Sequence, residues 1–251
     1  MKVDRKALEE MIDPHVTFAY ESLVKWTKDK IQMSTVTGDH SVLVKSTVND
    51  EAGFGWSGMT VFGIDPTSFH KKAKTMDKDV IDVDVDKGVI HFDGGNIEQR
   101  ESVYNTELIS TLEMPNFDFK SKVTVDGERF AKIFKAATSI QTDMKLEPPS
   151  IFLTINEDGF RIYAARIDRD EVEQVFEPSD TDMFEYAGPA TSKFRLRLIR
   201  PFVNKAKGKA VTVHLCPEDD RPVKITTPIR HGEAVIFVAP LISGSATEVK
   251  S

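Results

Sequence analysis

Apolar residues recur at i, i+3, i+4 and i+7 in the stretch 123–139, VTVDGERFAKIFKAATS, where Phe130, Ile133, Phe134 and Ala137 make one stripe. A strand-like start precedes it, and Asp126 stands where an N-cap side chain would accept the free amides of the first helical turn. Lys132, Lys135 and Ser139 fall on another face, so two ammonium groups stand side by side. The short neighbours Ala131, Ala136 and Thr138 keep that face low. Such a helix buries one side and offers a flat cationic side to a phosphate backbone. A single helix of this kind is more often just a solvated amphipathic helix.

The chain repeats the arrangement. Residues 3–12, VDRKALEEMI, predict a helix capped by Asp4, with Ala7, Leu8, Met11 and Ile12 as its stripe and Pro14 as its stop. Leu8, Met11 and Ile12 match Phe130, Ile133 and Phe134. Residues 23–35 alternate on either side of a Lys-Asp-Lys turn, and residues 153–164 do the same around Asp158-Gly159. Two matches in one order, each about half a chain apart, point to an internal duplication.

The remaining pattern fills in both halves. Strands are predicted over 42–48, 80–85, 89–93 and 101–109, with a glycine-rich loop over 50–58 that lacks the spacing of a phosphate loop. Residues 65–75, DPTSFHKKAKT, open with N-cap and first-turn proline signals; Phe69, Ala73 and Met76 face inward while Lys71 and Lys74 project together. Asp82, Asp84 and Asp86 line one exposed strand face, which suits a solvated, aggregation-resistant surface better than a metal site. Thr111 to Asn116, TLEMPN, reads as a linker. Strands follow over 171–176, 211–215, 223–227 and 234–242. The basic run 193–209, KFRLRLIRPFVNKAKGK, is expected to break at Pro201 into a strand and a short helix, or to start a helix near it. The domain reading is 1–110, a connecting loop 111–118, a second unit 119–243 and a polar, disordered tail 244–251. The fold class is α+β.

Composition limits the chemistry. At 251 residues, 40% hydrophobic and 29% charged, the chain has the make-up of a soluble globular protein with room for two cores. No apolar run reaches membrane-spanning length and the first residues lack a signal peptide's apolar segment, so an intracellular protein with no membrane partner is expected. A net charge of −7 confines any nucleic-acid contact to a local surface. One cysteine, Cys216, permits no internal disulfide. The six histidines show no metal-ligand spacing, no nucleophile elbow appears, and Asp39-His40 lacks a nucleophile, so no catalytic residue, metal or cofactor is expected.

Taken in order, four segments resemble the PCNA family of DNA sliding clamps: RPVKITTPI followed by VIFVAPLI, VDGERFAKIFKAATSI, PTSFHKKAK, and His40 in VTGDHSVLV. The resemblance covers nearly the whole chain. It implies two copies of one clamp-type unit per chain, channel-lining helices on a curved antiparallel sheet, and three chains closed into a ring around duplex DNA. Sequence-blind phosphate contacts suit sliding, and the family's channel positions fall on Lys71, Lys74, Lys132, Lys135, Arg197, Arg200 and Lys205. The first helix departs from this, with Glu9, Glu10 and Asp13 where its repeat mate has Ala131, Lys132 and Lys135; that quarter of the channel should attract DNA less.

The resemblance also implies partners. A PCNA-interacting peptide of a polymerase, clamp loader or repair protein would enter a pocket of Val36, His40, Leu112, Met114, Pro222, Phe237, Ala239 and Pro240. Subunits would join through Val103, Tyr104, Thr106 and Leu108 on one side and Glu171, Val172, Glu173 and Val175 on the other. The compartment would be cytoplasmic in an archaeon or its virus and nuclear in a eukaryote. Two other readings stand beside this one: a subunit of a heteromeric clamp-like ring, and an unrelated α+β enzyme or ligand-binding protein.

Overall fold

The computed structural model describes residues 2–50, 55, 58–111, 113, 116–141, 149–165 and 170–241. The first half runs β1 (Lys2–Asp4), α1 (Arg5–Ile12), β2 (Ser22–Trp26), β3 (Lys30–Val36), β4 (Val42–Asn49), β5 (Thr60–Ile64), α2 (Pro66–Lys74), β6 (Val80–Asp86), β7 (Val89–Asp93), β8 (Glu98–Ser102). The second half runs β9 (Ser121–Asp126), α3 (Gly127–Ile140), β10 (Ser150–Asn156), β11 (Gly159–Ala165), β12 (Glu171–Phe176), β13 (Met183–Glu185), β14 (Ala190–Arg195), α4 (Leu196–Lys205), β15 (Ala210–Leu215), β16 (Val223–Ile229), β17 (Gly232–Val238). Apart from the short β13, the second half repeats the element order of the first.

Local chemistry explains why the two opening helices correspond. Asp4 accepts from the amide of Ala7 and Asp126 from that of Arg129, three residues on in each case, so each strand ends in its own N-cap. Asp65 caps α2 in the same manner through Thr67, and Pro66 takes the first helical position.

All strand pairings within the sheets are antiparallel, as expected for an α+β chain built from hairpins. One sheet has the order β1-β6-β7-β8 and another β12-β11-β10-β14. The third, β13-β9-β15-β16-β17-β4-β3-β2-β5, is continuous across the two halves because β17 pairs with β4 from Gly232↔Val48 to Val238↔Val42. The helices cover one side of these sheets, and the main core lies between, with Leu8, Met11, Phe69, Phe130, Phe134, Phe202 and Ile236 all fully buried.

Three expectations need correction. The helix expected over 3–12 begins only at Arg5, because Val3 and Asp4 belong to β1, while Asp4 caps it as expected. The strand expected over 101–109 ends at Ser102; Asn105 then caps a 3₁₀ turn over Thr106–Leu108 through the amide of Glu107. The amide of Tyr104 bonds to the carbonyl of Gly63 at 2.9 Å, and a Cβ at Gly63 would meet Ile109 Cδ1 at 2.1 Å and Tyr104 Cβ at 3.0 Å, so a side chain there would push the Ile109 side chain aside. Pro201 lies inside α4 and does not break it. A lost helical bond costs about 3 kcal/mol, whereas burying Ile199, Phe202 and Val203 returns roughly 1.5–3 kcal/mol for each large side chain. Burial wins. Strands β5 and β13 were not anticipated, and the strand expected at the start of the run 193–209 is β14, which begins earlier, at Ala190, and ends at Arg195.

Candidate nucleic-acid interface and partner pocket

The four helices form a row. α1 packs on α2 and α3 on α4, while Asp13 of α1 meets Lys205 of α4 at 2.8 Å, giving the order α2, α1, α4, α3. Along the exposed side of this row stand Lys71 and Lys74 of α2, Arg197, Arg200 and Lys205 of α4, and Lys132 and Lys135 of α3, all solvent-accessible. The structure therefore gathers all seven expected cations on one helix layer.

They are not equivalent. Lys205 is tied to Asp13, and Lys209 beyond α4 is tied to Glu10 at 2.6 Å. Lys71, Lys74, Lys132 and Lys135 make no ion pair with a carboxylate among the described residues, and those four ammonium groups stay available. Lys72, between Lys71 and Lys74 in sequence, points away from them and pairs with the buried Glu101, which also accepts from the Ser68 hydroxyl at 2.8 Å. His70 lies 3.6 Å from Asp13, and burial, followed by the Lys74 charge, pushes its pKa down.

The opposite side of the sheet carries a second, smaller apolar cluster. Val36, Leu43, Val235 and Phe237 come together there because β17 and β4 alternate, sending Ile236 and Val44 to the main core and Phe237 and Leu43 to the other face. Phe119 packs on this cluster, with its ring 6.0 Å from Phe237 and 6.1 Å from Phe117, while Lys224 Nζ lies 6.0 Å above the Phe237 ring.

Ala239 and Pro240 line a separate hollow of about 320 Å³ with Asp39, Ser41, Arg195 and Leu241. Asp39 accepts from the hydroxyls of Ser41 and Thr37 and the amide of Ser41, which hold its pKa at about 2. His40 sits on the tip of this loop with φ 55°, a left-handed conformation.

No family model matches the sequence, and no curated protein matches it either. Solved structures do. A. fulgidus PCNA, in a structure described as the C-terminal region of FEN-1 bound to it, superposes with a TM-score of 0.85 at 18% identity, covering 96% of this chain and 98% of that one. PCNA from Thermococcus kodakaraensis superposes with a TM-score of 0.81 at 18% identity, covering 96% and 99%. The chain has the fold of a PCNA clamp.

Within that clamp fold, the expected pocket residues divide into two groups. Val36 and Phe237 join the apolar cluster, Ala239 and Pro240 join the polar hollow, Pro222 lies half-buried just before β16, and His40 lines neither. Leu112 and Met114 lie outside the described residues. Leu43, Val235 and Phe119 were missed; alternation along β17 already put Val235 on the face of Phe237, whereas Leu43 joins it only through the β17–β4 register.

Of the residues expected at the subunit border, one set lies on a strand edge and the other lies past the end of a strand. Glu171, Val172, Glu173 and Val175 lie on β12, at an open edge of its sheet. Val103, Tyr104, Thr106 and Leu108 all fall beyond β8, the open edge on the other side; Val103 still bonds to Gly88, and Tyr104 has turned to Gly63. No helix among the described residues is long and apolar enough to cross a membrane. No group of three or more His, Cys, Asp or Glu side chains among the described residues is arranged to hold a metal ion.

Proposed function

We propose that the chain is a member of the PCNA family and works as a DNA sliding clamp, a non-catalytic intracellular processivity factor. In this reading three copies close into a ring around duplex DNA and tether polymerase and other replication or repair proteins. The observation that carries it is the pair of open strand edges. Inside the chain, β17 of the second unit pairs with β4 of the first, with α4 over β17 and α1 over β4. The corresponding strands, β8 and β12, have no partner on their outer edges among the described residues and lie under α2 and α3. Joining β8 of one copy to β12 of the next repeats the internal junction, removes both edges and brings all helices to one inner wall. Val103 and Val172 support this, since both rest half-exposed against the main core at these edges.

Lys71, Lys74, Lys132, Lys135, Arg197, Arg200 and Lys205 would then face phosphates without reading bases. The unit boundaries near 110 and 119 follow the end of the first unit and the start of the second. The apolar cluster around Phe237 and Phe119, with the hollow beside Ala239 and Pro240, would receive the aromatic and aliphatic anchors of a partner peptide.

The test is primer extension on long circular templates, run beside native mass spectrometry. The unmodified chain should assemble at about three times the 28.1 kDa of one copy and lengthen the products. Lys132→Glu combined with Lys135→Glu should assemble but shorten the products. Product lengths unaffected by adding the unmodified chain would refute the clamp role.

A further inference from the structure

The outer face of the nine-stranded sheet changes character along one line of cross-strand neighbours. Register places Lys224 opposite Phe237, Phe237 opposite Leu43 and Leu43 opposite Val36. On the other side of Lys224 the same line runs through His214 and Lys122 to Glu185. Side chains opposite one another share a face, so the apolar cluster ends at Lys224 and a polar stretch begins there. The ammonium group of Lys224 lies 6.0 Å above the Phe237 ring, on which Phe119 also packs. A positive charge is thus held at the wall of the apolar cluster.

The acids around this wall are engaged elsewhere. Glu185 pairs with Lys122 at 2.8 Å, and Asp118, next to Phe119 in sequence, pairs with Lys120 at 2.6 Å. Glu218 pairs with Arg221. Glu233 stands opposite Thr47, four residues along β17 from Phe237 and so about 13 Å away. Glu113 of the linker is exposed, and Lys45, opposite Val235, adds a second cation to the cluster's border. Burial, followed by the charges of Lys224 and Lys122, lowers the pKa of His214 to about 4, so at neutral pH the imidazole carries no charge and the ammonium does. Lys224 itself is half-buried and has no carboxylate partner among the described residues. A cation partly removed from water gains from an acid that comes with a ligand.

We infer that Lys224 is a specificity-determining residue of the partner site, and that the segment bound there carries a carboxylate next to the aromatic side chain it lays against Phe237. The inference rests on the partner-peptide part of the proposed function and adds the partner's charge to it. An aromatic anchor on Phe237 expels water from the wall. The same expulsion lowers the local dielectric around Lys224, so an acid arriving with the anchor is worth more there than on open surface. A basic neighbour of the anchor would meet like charge in the same place and is rejected.

The experiment is selection from a library of random short peptides on the immobilised full chain, run beside its Lys224→Glu and Phe237→Ala variants. Peptides recovered on the unmodified chain should carry an aromatic residue beside Asp or Glu, and those recovered on Lys224→Glu an aromatic beside Lys or Arg. The tightest acidic peptide, and its copy with glutamine in place of the acid, are then titrated by fluorescence anisotropy. The acid should strengthen binding by about threefold to tenfold, an advantage that shrinks at about 0.5 M salt and vanishes in Lys224→Gln. The circular dichroism spectrum of Lys224→Gln should match the parent's. Aromatic peptides recovered with no charge preference, or an acid advantage that persists in Lys224→Gln, overturn the inference and leave the pocket standing. If Lys224→Gln weakens both peptides equally, the lysine acts only by packing its stem, and the inference is overturned too. Peptides that bind Phe237→Ala as tightly as the parent, or a selection that returns no aromatic peptides, overturn the partner-pocket reading itself.

Discussion

His15 follows α1 and is wholly buried, with Nδ1 2.6 Å from Thr35 Oγ1 and Nε2 3.0 Å from Ser46 Oγ. A neutral imidazole donates at one nitrogen and accepts at the other, and two hydroxyls satisfy both. Burial lowers its pKa from 6.5 to about 3. Between those values the unfolded chain binds a proton that the folded chain refuses, so the contribution to stability is complete above pH 6.5 and declines as pH falls. From pH 6.5 to 5 the decline is about 2 kcal/mol. Urea unfolding at the two pH values should show a shallower pH dependence for His15→Gln, by about that amount; the parent's full dependence in the variant would move the effect to His70 or His214. His214, also held low chiefly by burial at about 4, contributes in the same direction. The lysines of α2 show the same dependence on surroundings. Three lie within four positions, yet Lys72 stabilises a buried carboxylate while Lys71 and Lys74 face solvent.

Among the elements, α4 departs furthest from its sequence pattern. Proline at 201 predicts an interruption, but the apolar stripe of Leu196, Ile199, Phe202, Val203 and Ala206 docks as one surface and carries the helix through. The carbonyl of Arg197 loses its amide partner at position 201 as a result. Pro201→Ala restores that donor and should stabilise the protein by about 1–3 kcal/mol, read as a rise in the urea midpoint at unchanged slope. A midpoint that stays put or falls would show that the proline carries no such cost here. The segment after β8 is the opposite case. Its alternation reads as a continued strand, yet Asn105 and Gly63 together turn it aside; the capping side chain is visible in the sequence, whereas the reception of Tyr104 by a glycine on another strand is not.

For the whole molecule, the important comparison is between a junction already made and two edges left open. Val172 of β12 leans on the core from an open edge and pairs, among the described residues, only with Ala164 on its inner side. Val172→Lys should leave each copy folded, since a long side chain at an edge can carry its charge out to water, while obstructing the approach of a second strand. Native mass spectrometry should then find single chains with an unchanged circular dichroism spectrum. Assembly of the parent's size would remove β12 from the proposed border. Much of this scale was legible in the sequence, because a duplicated order of caps, hairpins and stripes survives where identity does not. The charge contrast between the repeats was half legible: Glu10 and Asp13 were visible against Lys132 and Lys135, but Lys209 and Lys205 as partners of the two acids were not.

Periodicity, capping and turn chemistry act over a few residues, so the sequence by itself determined α1, α2 and α3, most strands, the doubled unit and the cationic stripe of α3. Pairing acts between residues far apart in the chain: Asp13 meets Lys205 across 192 positions, and Phe119 meets Phe237 across the sheet. Only the tertiary structure decided which lysines remain free, which strand edges stay open and which aromatic covers the outer apolar cluster. Each of these depends on what a side chain meets after the chain has closed on itself, and neither spacing nor composition encodes that meeting.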